Sequence, residues 1–216
     1  MRIGINGFGR IGRTVFRILN RQQDIDVAAI NDLANDDVLA YLLKYDTVMG
    51  PLKDSVSVKN GVLTTSNHSI KMLNKHDPAT LPWTELGVDV VIEATGVFRT
   101  REQLQSHLDA GAGYVILTVP AKDEIDYTVV IGVNEDRLTS EHKIISNASC
   151  TTNCLAPMAK VLNDAFGIEY GVINTVHAYT NDQRLADVPH SDWRRSRAAA
   201  ENVIPTTTGA ARAVGI

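Results

Sequence analysis

The feature that most constrains this chain is Gly7-Phe8-Gly9-Arg10-Ile11-Gly12, set between a stretch of strand character and a stretch of helical character. Residues 2–6 (Arg-Ile-Gly-Ile-Asn) read as a strand. Ile11, Val15, Ile18 and Leu19 recur at helical spacing and predict a helix over 10–21. Residues 26–31 read as a second strand, closed by Asp32 about twenty residues after Gly12. Each glycine answers a separate demand: Gly7 permits a tight turn, Gly9 lets an anion approach the backbone, and Gly12 lets the helix pack close to the sheet. The free amides and dipole of the first helical turn offer a positive end to a pyrophosphate. Asp32 at a strand end can accept both hydroxyls of an adenosine ribose and would repel a 2′-phosphate, which favours NAD over NADP. The plain alternative is a glycine turn that only starts a helix, with Asp32 as its neighbour's N-cap. The ordered context of strand, turn, helix and acid favours the dinucleotide site.

The pattern continues in the same style. Residues 36–45 look helical, with Val38, Leu39, Leu42 and Leu43 on one side, and complete a β-α-β unit with parallel strands and a right-handed crossover. Asn60-Gly61 marks a hairpin within 55–74. An apolar run follows over 88–92, then a helix near 100–109 and strands near 114–117, 128–132 and 143–146. Strands alternating with helices predict an α/β, doubly wound parallel sheet over 1–148. The character changes there: a helix over about 149–165 leads into a long strand over 169–180.

Composition excludes several classes. A net charge of −4 argues against a nucleic-acid binder, because phosphate contacts need a basic surface. No stretch approaches the roughly 18 apolar residues of a membrane helix, and the N-terminus lacks the pattern of a secretory leader. Two cysteines four residues apart do not form a secreted disulfide framework, so a reducing, cytoplasmic setting is expected. No metal is expected.

Ser149-Cys150-Thr151-Thr152-Asn153-Cys154 falls where a helix should begin, with Ser149 as its cap. A thiol in a first turn feels the helix dipole, which favours thiolate; Cys154, a turn deeper, should be more shielded. A thiolate needs a base close in space. His68, His76, His107 and His142 lie among polar neighbours and read as surface residues. His177 lies in a strand-like run, 172–180, that could return to the helix start; its competing reading is a buried histidine satisfied by backbone. Arg194, Arg195 and Arg197 cluster in an acidic chain, either as a salt-bridged surface or as phosphate ligands. Thr206, Thr207, Thr208 and Gly209 add hydroxyls and amides before another helical run.

INGFGRIGR at 5–13, SNASCTTNCLAP at 146–157, VHAYTNDQ at 176–183 and RAAAENVIPTTTGAA at 197–211 resemble the phosphorylating glyceraldehyde-3-phosphate dehydrogenases. That resemblance implies a Rossmann-type NAD-binding domain over 1–148 and the first part of an α+β catalytic domain over 149–216. It implies Cys150 as nucleophile and His177 as its base. NAD would be held by Gly7, Gly9, Arg10, Ile11, Gly12, Asp32, His76 and Thr118, although His76 stands where many members carry arginine. Ser149, Thr151, Thr208 and Gly209 would line an inorganic-phosphate site. Thr180 and Arg195, or alternatively Arg197, would bind the phosphate of glyceraldehyde 3-phosphate. Leu33, Val188 and Pro189 resemble the apolar choices of NAD-preferring members, and 184–192 resembles a loop that reaches a neighbouring subunit of a homotetramer. Family members run about half this length again, so the chain reads as a C-terminally truncated piece whose own turnover is a separate question. Erythrose-4-phosphate dehydrogenase, and a non-catalytic NAD-binding fragment, are the rival readings.

Overall fold

A computed structural model describes residues 1–214. They form two compact units, Met1–Ser149 and the segment from Cys150 onward. In the first unit, β1 (Arg2–Asn6) lies between β2 (Asp26–Asn31) and β6 (Val90–Glu93), parallel to both. Beyond β2 come the parallel β5 (Ser69–Leu73), then β4 (Val62–Thr64) and β3 (Ser57–Lys59), which are antiparallel. Beyond β6 come β7 (Tyr114–Leu117), β9 (Ile144–Ser146) and β8 (Tyr127–Thr128), all parallel. The chain builds outward from β1 through β2 to one side and resumes on the other side with β6. That reversal opens a crevice at the carboxyl ends of β1 and β6, the place where open α/β sheets hold ligands.

Local chemistry explains the connections. Asn60 (φ 52°) and Gly61 (φ 71°) both take left-handed backbone, the demand of a two-residue hairpin turn. The helix α2 (Asp36–Lys44) starts at Asn35, whose side chain accepts from the amides of Asp37 and Val38. Asn35, not Asp32, is therefore the N-cap. The helix α4 (Arg101–Asp109) starts with a Thr100–Gln103 capping box. A short helix, α3 (Trp83–Leu86), precedes β6 and buries Trp83 completely.

Several expectations need correction. In α1 (Arg10–Leu19), Ile11 and Ile18 are about half exposed, and the buried face runs through Gly12 and Phe16 instead. The large Phe16 ring, edge-on to Phe8 at 5.7 Å, sets the helix phase. In α2 the buried pair is Leu39 and Leu43, while Val38 is exposed. The strand expected over 128–132 is only Tyr127–Thr128, because the Asn134 side chain takes the Val130 amide and the Thr128 carbonyl and folds the chain into a turn.

The second unit holds α5 (Cys150–Phe166), α6 (Ala210–Ala213), and between them an irregular path with a 3-10 turn at Trp193–Ser196 and a single bridge from Arg184 to Ala198. The long strand expected over 169–180 does not form. The segment has β-branched residues but no neighbouring strand within the described residues of its unit. A strand without a ladder leaves its backbone to water and has no regular structure to hold it.

Candidate active site

The cradle is built from the β1–α1 turn. Gly7 has φ +91°, and a Cβ there would stand 2.6 Å from the Thr95 amide nitrogen. A Cβ on Gly12 would lie 2.1 Å from the Gly7 carbonyl oxygen, so the helix start rests directly on the turn. Space around Gly9 is open. The first turn of α1 carries no acidic residue, and no side chain caps it. Open space over uncapped amides at the start of a ten-residue helix fits the pyrophosphate of a dinucleotide. Asp32 accepts the Phe8 amide at 2.6 Å on one oxygen and the Ala34 amide at 2.9 Å on the other. Each oxygen keeps a further lone pair, so a ribose diol can still be accepted.

The other residues expected to hold the dinucleotide have their own partners. Arg10 is exposed and pairs with Asp46 at 2.8 Å. Ile11, in the first turn of α1, is about half exposed. His76 is exposed, two residues beyond Asn74, whose amide donates to the Asp32 carbonyl at 3.0 Å. The hydroxyl of Thr118 donates to the Glu93 carbonyl at 3.1 Å.

In the second unit Cys150 is the first residue of α5, and Ser149 directly precedes it. The Cys150 thiol is hydrogen-bonded to the His177 imidazole and to Thr151. Burial pushes the thiol up, but the bonds from His177 and from the Thr151 side chain and backbone, with the charge of His177, outweigh it; the thiol sits below its ordinary 9.0. His177 is shifted above its ordinary 6.5, first by the Ala178 carbonyl, which accepts from Nδ1 at 2.6 Å, and then by the Cys150 thiol. With Nδ1 so engaged, Nε2 is the nitrogen left for the thiol. The pair thus forms without the strand that was expected to carry His177. Gly167 (φ 71°) follows the last residue of α5, and the chain continues as an exposed segment without regular structure. Cys154 is exposed like Cys150, which corrects the expectation of a shielded second thiol. A partner, not burial, separates the two.

The expected phosphate ligands are arranged differently from Cys150 and His177. Arg195 pairs with Asp182 and, at 3.6 Å, with Asp192; Arg197 pairs with Asp187 at 2.8 Å, and Arg194 with Asp192 at 2.9 Å. The arginine cluster is therefore internally salt-bridged here. Thr180 opens a turn closed by Gln183, its amide donating to the Gln183 side chain at 2.7 Å. Thr208 accepts the Ala210 amide at 3.2 Å, and Gly209 is the N-cap of α6.

Two histidines are misplaced by sequence. His107 is fully buried, between Trp83 and Glu93, and the side chain of His68 is only 7% exposed. His107 reads as polar because its neighbours in sequence face water, while its own position on α4 faces the sheet. Sequence reading also missed Glu93, although an acid closing the apolar run Val90-Val91-Ile92 was the available signal.

Residues 1–101 match the model of the glyceraldehyde 3-phosphate dehydrogenase NAD binding domain, and residues 149–216 that of the C-terminal domain of the same enzymes. The chain belongs to the glyceraldehyde-3-phosphate dehydrogenase family. It is 57% identical over 217 residues to the glyceraldehyde-3-phosphate dehydrogenase of Thermotoga maritima, with all of this chain and 65% of that protein covered. It is 56% identical over 218 residues to the Streptomyces coelicolor protein of that name, again covering 65% of it. For the Geobacillus stearothermophilus protein the values are 55% over 217 residues and 64% of its length. The chain thus spans just under two thirds of these relatives. Among its described residues, no helix is long and apolar enough to cross a membrane.

Proposed function

We propose that the protein oxidises D-glyceraldehyde 3-phosphate with NAD and inorganic phosphate, yielding 1,3-bisphosphoglycerate, and that Cys150 carries the acyl group. The observation that supports this most is the thiol at the start of α5 paired with an imidazole whose other nitrogen is fixed by a backbone carbonyl. His177 takes or holds the thiol proton, and the Cys150 sulfur attacks the aldehyde carbon. His177 gives that proton to the former aldehyde oxygen, the product is a hemithioacetal, and Nε2 of His177 takes the hydroxyl proton back as the carbon is oxidised. Bound NAD supplies the hydride acceptor that makes oxidation to a thioester possible. Phosphate then attacks the Cys150 acyl carbon, the carbon–sulfur bond breaks, and the thiolate is restored. Amides at the start of α5 and the Thr151 hydroxyl are suited to the oxyanions formed on the way.

Gly7, Gly9, Arg10, Ile11, Gly12 and Asp32 would hold the adenosine and pyrophosphate, with His76 and Thr118 at the two flanks. Arg195 or Arg197 would have to exchange an aspartate partner for the substrate phosphate. The three-carbon substrate is preferred over erythrose 4-phosphate because the relatives above carry the three-carbon name. A homotetramer in the cytoplasm is the matching assembly and setting.

The test is NADH formation from glyceraldehyde 3-phosphate, NAD and phosphate, by wild type and Cys150→Ser. The expected result is phosphate-dependent reduction in the wild type and a loss of at least ~10³-fold in the variant, with NAD binding retained. NAD binding without any reduction by the wild type would assign the chain to dinucleotide binding alone.

A further inference from the structure

Under the crevice between β1 and β6 lies a buried polar cluster that the reaction above does not use. Glu93, at the end of β6, is fully buried, as is His107 of α4; Asn6 and Asn31, closing β1 and β2, are almost fully buried. One Glu93 carboxylate oxygen accepts from Asn6 Nδ2 at 2.5 Å and from His107 Nε2 at 3.1 Å. The other accepts from the Thr95 amide at 2.8 Å and from the Thr95 hydroxyl. Asn31 Nδ2 donates to Asn6 Oδ1 at 2.8 Å, and Asn31 Oδ1 accepts the Lys75 amide at 2.8 Å.

Donor accounting fixes where the protons are. The Trp83 indole can only donate, and it donates to His107 Nδ1 at 3.1 Å. His107 therefore carries its proton on Nε2 and is neutral. Four polar groups converge on Glu93, one for each acceptor position of a carboxylate: the Asn6 amide, the His107 imidazole, and the amide and hydroxyl of Thr95. The cluster is a fully hydrogen-bonded carboxyl group buried beside the sheet, and losing any one partner would leave a buried polar atom unpaired, a costly change.

We propose that Glu93 is a positioning residue for the dinucleotide cradle, an inference that rests on the NAD-binding reading above. Its side chain ties the end of β1 to the turn after β6, and its backbone carbonyl accepts from both the amide and the hydroxyl of Thr118. The Thr95 amide it holds is the atom against which Gly7 packs, close enough that no Cβ would fit. The Gly7 amide in turn donates to the Asn31 carbonyl at 2.8 Å. The position of Gly7, and with it the start of α1, is thus set by Thr95 on one side and Asn31 on the other, and Glu93 links both. His107 and Trp83 orient the carboxylate from behind.

Glu93→Gln tests this, since it keeps the shape and places an amide NH₂ against two donors. Neither side can adapt easily: the Thr95 amide cannot accept, and His107 is held in its tautomer by Trp83. NAD affinity, measured by calorimetry on protein shown to be folded, should fall about tenfold. Leu63→Ala, a buried truncation on β4 away from the crevice, should lower the melting temperature at least as much and leave affinity within about twofold. Thr95→Val, which keeps the shape and removes one donor to Glu93 together with the acceptor of the exposed Val97 amide, should weaken binding by a smaller factor and covers the case in which Glu93→Gln does not fold. Long-range proton–nitrogen correlation should place the His107 proton on Nε2. Wild-type affinity in Glu93→Gln and Thr95→Val, an equal loss in Leu63→Ala, or a proton on Nδ1 of His107 would overturn the proposal. A wild-type chain that is folded and binds no NAD would overturn the functional reading itself.

Discussion

β1 and residues 172–176 are similar as sequences and different as structures. β1, Arg-Ile-Gly-Ile-Asn, is bonded on both edges, and Ile5 is completely buried. Val-Ile-Asn-Thr-Val at 172–176 is richer in β-branched residues, yet Val172 is 96% and Val176 98% exposed. The difference shows that β propensity is a fit to a pleated, half-buried surface rather than a preference of the backbone alone. The first unit provides that surface several times over. The second provides a helix start, a thiol and a histidine, and its described residues form no sheet.

Amide exchange should show the largest contrast. Amides of β1, β2 and β6 should exchange at least ~10³-fold more slowly than those of 169–177, whose opening requires no loss of ladder bonds. Equal protection would mean that 169–177 has found a strand partner. Truncation should show a smaller contrast. Ile5→Ala should cost about 2–5 kcal/mol in urea denaturation, and Val176→Ala less than about 0.5 kcal/mol. A comparable cost at both positions would place Val176 in a core.

The thiol supplies the most local test. Interactions that favour thiolate lower the pH at which Cys150 begins to react, so the midpoint of its alkylation should lie below 9.0. His177→Gln removes the leading favourable partner and should move that midpoint upward, slowing alkylation at neutral pH by about tenfold. On the histidine side the sign is opposite. The shift of His177 is upward, first through the Ala178 carbonyl and then through Cys150, so the stabilisation these give the protonated ring is present below 6.5 and is lost as pH rises through the elevated value. Alkylation of Cys150 that is unchanged in His177→Gln would break the pairing.

By itself, the sequence determined whatever depends on neighbours in the chain. The glycine cradle, the β-α-β order, the Asn60-Gly61 turn and the placement of Cys150 at a helix start each follow from backbone geometry within a few residues. Tertiary structure decided the rest. Phe16 rather than Ile11 faces the core, His107 is buried, Cys154 is open to solvent, and 169–180 has no strand. It also decided that Glu93, Asn6, Asn31 and Thr95 meet, although they are spread over almost ninety residues of sequence (Asn6 and Glu93 are 87 apart). Burial and strand pairing are properties of pairs of surfaces. A chain records its own half of such a pair, and the other half is known only when the fold brings it into place.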